Sequence, residues 1–230
     1  MGWELRFFFV DSPDDFNATR VKMFDVLNLP QELLPSQLEK RTDSYLQLNS
    51  PELGFKFRGA LKNDTGSLEY KLRTKGESPN AENWVKRQSG CVSLADREKL
   101  IEVVSSTDSI PFSLDEKLQD FDVQRDVIHC DKERFNRIIS SSNIQHVVLD
   151  SAGVTVPSFN GIGFEYAKFN LRRNSGEKLG QYCSFNFEGS TQEKLGQLGA
   201  AVTSYLGYQG TVYCMGYPEF IMKVSNGEIR

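Results

Sequence analysis

Residues 54–74 read GFKFRGALKNDTGSLEYKLRT, and the order of residue types in this stretch decides how the chain is built. Phe55 and Phe57 alternate with Lys56 and Arg58. Beyond Asn63-Asp64-Thr65-Gly66, Leu68, Tyr70 and Leu72 alternate with Glu69, Lys71 and Arg73. Successive side chains of a strand point to opposite faces, so each run is a strand with one apolar and one charged face. The intervening turn residues are those of a hairpin, and two strands joined in this way pair antiparallel. Lys56, Arg58, Lys71 and Arg73 then fall on one sheet face, with Glu69 among them.

The same alternation extends outward. Residues 3–10 form a strand whose first half sets Trp3, Leu5 and Phe7 against Glu4 and Arg6. Residues 41–48 and 84–88 continue the sheet, the latter bringing Lys86, and residues 121–130, 146–156, 162–172 and 181–187 supply further strands. Helices are expected over 12–27, in a short piece bracketed by Pro30 and Pro35, over 96–104, and as a charged turn within 131–140. Residues 190–206 make the strongest helix, with Leu195, Leu198, Val202 and Leu206 on one face and Gly207 as its stop. No internal repeat and no low-complexity linker divides the sequence. The simplest account is one α+β domain over 1–230, dominated by an antiparallel sheet with flanking helices.

Composition narrows the chemistry. The chain has 230 residues, a formal net charge of −4, 39% hydrophobic and 25% charged residues, which is ordinary globular usage. No apolar run approaches the ~20 residues of a bilayer span. The short apolar stretch after Met1 lacks the cationic lead of a secretory signal, so a cytoplasmic chain with reduced thiols is expected. Cys91, Cys130, Cys183 and Cys214 form no CxxC pair, and His129 and His146 are too few for a histidine-rich metal site. The weak negative charge argues against nucleic acid as the main ligand. Phe, at 16 residues, and Tyr, at 8, lean the chain further towards β-structure.

Two readings of the charged face follow from alternation alone. It is either the solvated side of a two-layer sheet, or the inner wall of a groove or tunnel where Lys and Arg converge on a polyanion. The run from Arg41 to Glu77 resembles the CYTH-like superfamily, the triphosphate tunnel metalloenzymes. Asp43 and Tyr45 look like that family's D-x-Y strand, Lys56 and Arg58 like its basic strand, and Glu69, Lys71 and Arg73 like its strand of alternating charge. Asp150 and Glu165 are similar to carboxylates of its later strands, and Gly216 to Phe220 to its closing element. The family's E-x-E-x-K signature is incomplete: Glu4 matches one glutamate, Arg6 stands for the second and Phe8 for the lysine.

The resemblance implies an antiparallel β-barrel or tunnel with a charged interior, whose ligand is a phosphorylated small molecule or polyphosphate. It implies Lys56, Arg58, Lys71, Arg73 and Lys86 as phosphate-binding residues. Glu4, Asp150 and Glu165 would hold Mg²⁺ or Mn²⁺, and Glu69 and Glu165 would serve in triphosphate hydrolysis. Replacing a carboxylate by Arg6 reverses the local charge and disfavours a divalent cation. A non-catalytic binding or assembly module on the same barrel is therefore the alternative. A third reading, a carrier barrel with an apolar interior, requires Phe55, Phe57 and Tyr70 to face inward.

Overall fold

The computed structural model describes residues 2–10, 13–58, 65–76, 80–93, 120–144 and 158–230. Strands β1 (Gly2–Phe9), β2 (Glu39–Leu46), β3 (Leu53–Arg58), β4 (Thr65–Lys75), β5 (Glu82–Ser93), β6 (Val127–Ile139), β7 (Ile162–Arg173) and β8 (Lys178–Gly189) lie in the order β5-β4-β3-β2-β6-β7-β8-β1. Pairing of β1 with β5 closes this order into an eight-stranded antiparallel barrel. A ninth strand, β9 (Val212–Cys214), takes the rest of that edge of β1, from Phe7 to Phe9. Helices are α1 (Pro13–Val26), the short α2 (Val123–Asp126), α3 (Gln192–Leu206) and α4 (Tyr217–Ser225). The antiparallel barrel with flanking helices expected from the alternating strands is thus what the chain forms.

Buried apolar residues among those described form three clusters. On one outer face Leu5, Phe7 and Phe9 of β1 and Phe185 and Phe187 of β8 pack with Phe16, Met23 and Phe24 of α1 and Leu195, Leu198 and Val202 of α3. Phe55, Phe57, Leu68 and Tyr70 form a second outer cluster with Leu46, Phe121 and Val127. Phe55 and Phe57 are fully buried there, facing away from Lys56, so the carrier reading with an apolar interior is overturned.

The third cluster fills one end of the barrel. Phe8, Ile128, Phe169 and Tyr182 point inward there and receive Tyr217, Phe220 and Ile221 of α4. Phe8 stacks on Phe220 with ring centroids 3.8 Å apart and planes 6° from parallel. Helix α4 can lie this close because Gly54 leaves room; a Cβ there would sit 2.5 Å from Pro218 Cγ. Closed below by α4, the barrel is a cup.

Three local expectations are corrected. Residues 121–130 do not form one strand: Asp122 accepts from the Gln124 and Arg125 amides, caps α2, and the strand begins only at Val127. The helical turn expected within 131–140 is instead the second half of β6. Here polar residues fall on both faces, because the inner face lines a charged interior, and that hides the two-residue period. The piece expected between Pro30 and Pro35 is a single 3₁₀ turn at Pro35–Gln37. The helix over 96–104, the strand over 146–156 and Asp150 lie outside the described residues, as does the first half of the 63–66 turn.

Candidate functional site: a cationic cup

Above the α4 plug the barrel encloses a cavity of about 400 Å³. Every strand supplies the alternate residues that its pleat turns inward. Arg6 comes from β1, Arg41 from β2, Lys56 and Arg58 from β3, Lys71 from β4, Lys86 from β5, and Lys132 and Arg134 from β6, with Arg137 near the mouth. The lining carboxylates are Glu4, Glu165 and Glu188. Tyr217 and Pro218 of α4 form part of the floor, and Ile138, 70% exposed, stands on the rim.

Glu165, Glu4, Asp43 and Glu69 are each held by cations rather than by other carboxylates. Glu165 bridges two arginines, with Arg6 Nη1 at 2.7 Å and Arg134 Nη1 at 2.8 Å. Lys71 of β4 donates to Glu4 of β1, over the intervening β5. Asp43, completely buried, faces Arg41 at 3.1 Å, Lys132 at 3.2 Å and Lys56 at 3.7 Å. Glu69 faces Arg58 at 2.9 Å, Lys86 at 3.3 Å and Lys56 at 3.4 Å. Arg6 and Lys132 both lie against the ring of Tyr217, 4.3 and 4.0 Å from its centroid, a favourable place for a desolvated cation. With its oxygen toward Arg6, the Asn186 amide accepts from Arg6 Nη2 at 3.1 Å and donates to the Leu5 carbonyl at 3.2 Å.

These contacts set the protonation states. Burial pushes the Asp43 carboxyl up, but Lys132, Lys56 and Arg41 outweigh it and hold the group well below the usual carboxylate range. Burial is likewise outweighed at Glu165 by Arg6, Lys132 and Arg134, and at Glu4 by Lys71 and Arg6. Lys56 is moved the other way. Burial, reinforced by Lys132, Arg58 and Lys71, overcomes the attraction of Asp43 and pushes its ammonium down to about 7. Positive charge therefore outruns its local compensation at this point of the wall.

The expected site residues divide on placement. Lys56, Arg58, Lys71 and Lys86 line the cavity, as do Glu4 and Glu165, while Glu69 lies just behind the wall among three of those cations. Arg73 is not brought to the cavity: it pairs with Glu82 at 2.6 Å and Glu219 at 3.4 Å, where α4 meets the sheet. Lys132, Arg134 and Arg41 are inner cations that the sequence reading did not single out. The alternation Lys132, Arg134, Asn136 was available as a signal, but the polar residues between them obscured it.

The donor set among the described residues does not fit a divalent metal. Glu4 and Glu165, the described members of the expected metal set, are each engaged by basic side chains, and Arg6 carries its charge between them. No group of three His, Cys, Asp or Glu side chains able to hold an ion occurs among the described residues. No helix there is long and apolar enough to cross a membrane.

No known protein family matches this sequence, and no curated protein does. Among solved structures the chain is similar to a conserved hypothetical protein from Pyrococcus furiosus, at 16% identity over 90% of this chain and 91% of that one, with a TM-score of 0.38. It is also similar to the PH1012 protein from Pyrococcus horikoshii OT3, at 16% identity over 91% of this chain and 92% of that one, with a TM-score of 0.40.

Proposed function

We propose that the cup binds a phosphorylated small molecule or a short polyphosphate, held directly by its lysines and arginines. One observation carries this reading: among the described residues, nine basic side chains line the cavity against three carboxylates. Cations gathered in a cavity repel one another, and the low dielectric of the wall strengthens that repulsion. A polyanion entering the cup relieves it and accepts charge-assisted hydrogen bonds from Lys and the forked donors of Arg. Glu4 and Glu165 are already committed to cations, so the reading requires no metal ion to bridge protein and phosphate.

Calorimetry and thermal shift with inorganic tripolyphosphate in the presence of EDTA test it. Binding is expected without metal, with a rise in melting temperature at saturation. Arg58→Ala and Lys86→Ala are expected each to weaken binding by about tenfold, the loss of one charge-assisted contact worth roughly 1.5 kcal/mol. Absence of binding to wild-type protein overturns the reading. Phosphate release with Mg²⁺ or Mn²⁺, abolished by Glu69→Ala or Lys71→Ala, would add triphosphate hydrolysis to binding.

A further inference from the structure

We infer that Lys56 is a nucleophilic amine of the cup and forms an imine with an aldehyde or ketone that also carries a phosphate group. The inference rests on the anion-binding reading above and names the ligand class more narrowly.

Lys56 differs in its contacts from the other lysines of the wall. Lys71 donates to Glu4, and Lys132 donates to Tyr45 Oη at 3.3 Å and stands 3.2 Å from Asp43. Lys86 reaches Glu69 at 3.3 Å from a position nearly half exposed. The Lys56 amine makes no hydrogen bond to any described residue. Its nearest carboxylate oxygens are Glu69 Oε2 at 3.4 Å and Asp43 Oδ2 at 3.7 Å, while its side chain is only 11% exposed and borders the cavity. The charged groups that face it are Asp43 from β2, Glu69 and Lys71 from β4, Lys132 from β6 and Arg58 from its own strand. Three cations against a desolvated ammonium favour the neutral amine, which has the lone pair that a nucleophile needs. The depressed proton affinity of Lys56, at about 7, agrees with this placement.

A phosphate held by the surrounding cations would fix a tethered carbonyl within reach of that amine, making the addition effectively intramolecular. The nitrogen lone pair attacks the carbonyl carbon, a C–N bond forms, and the π pair moves to oxygen. The nitrogen gives up both of its protons, one on addition and one on dehydration; Glu69 Oε2 is the nearest oxygen without a hydrogen bond to receive each and pass it to the departing oxygen. The oxygen gains two protons in all and departs as water, leaving C=N. Amine and carbonyl give imine and water, with no change of oxidation state.

The test uses the whole protein and pyridoxal 5′-phosphate as probe, trapped with borohydride near neutral pH and located by peptide mapping. The expected result is one equivalent of label on Lys56, blocked by tripolyphosphate and lost in Lys56→Arg. Pyridoxal without phosphate is expected to label at least tenfold less. Label spread over exposed lysines such as Lys40 and Lys178, label undiminished in Lys56→Arg, or equal labelling by pyridoxal overturns the inference. Calorimetry with tripolyphosphate separates the two readings: binding without labelling of Lys56 removes the imine and leaves anion binding standing.

Discussion

Among the described residues Glu165 is the only carboxylate holding Arg6 by a direct ion pair, and it holds Arg134 as well. Removing its charge leaves a buried guanidinium without a counter-ion, which costs far more than the pair itself contributes. Glu165→Gln is expected to lower stability by about 3 kcal/mol in urea titrations. Tripolyphosphate should recover more stability in that variant than in wild type, because it supplies the missing negative charge. Lys56 makes a pH-dependent contribution whose sign is fixed by its surroundings. It loses its proton near 7 in the fold and near 10.5 in the unfolded chain, so between these values the unfolded chain binds more protons and stability rises with pH. Lys56→Met removes that part of the slope, measurable by urea titrations at about pH 7 and about pH 9. At this scale Lys56, Arg58 and Lys71 were legible in the sequence, because each alternates with an apolar residue. Arg6 was legible only as a misplaced charge, since its partners Glu165 and Tyr217 are remote in sequence.

Strands β3 and β4 were legible because one face is apolar and the other charged. In β6 the inward Lys132 and Arg134 are flanked by outward Asp131 and Glu133, so polarity stays nearly constant along the chain and periodicity vanishes. Nothing local distinguishes such a strand from a solvated helical turn; only its neighbours β2 and β7, pairing along its length, do so. The part played by α4 was equally hidden. No helix was assigned to residues 217–225 from the sequence, nor was it legible there that Tyr217, Phe220 and Ile221 enter the barrel instead of covering it. Phe8 is explained by this packing: at that depth the barrel is filled by an aromatic ring. Phe220→Ala empties the stack and is expected to cost about 3–5 kcal/mol, read from chemical denaturation. Because α4 also forms part of the cavity floor, the same variant should weaken tripolyphosphate binding.

Taken as a whole, the molecule has unlike charges inside and outside. The net charge of −4 averages a cationic interior with an acidic remainder. Composition could therefore speak against nucleic-acid binding yet say nothing of a cavity, which exists only once eight strands close. A cup closed at one end admits a chain of phosphates only to a certain depth. Affinity is thus expected to rise from diphosphate to triphosphate and then to level off, because further units stand beyond the mouth; a calorimetric series over chain length measures this. The closure has one further consequence. Strands β1 and β5 meet over only three residue pairs, whereas β7 and β8 share ten. The Glu4–Lys71 ion pair reaches across this short seam and acts as its clasp. A polyanion bound in the cup would compete for the same ammonium and unfasten the clasp, so that the hoop would be tightest without ligand and would slacken along this short seam as it filled.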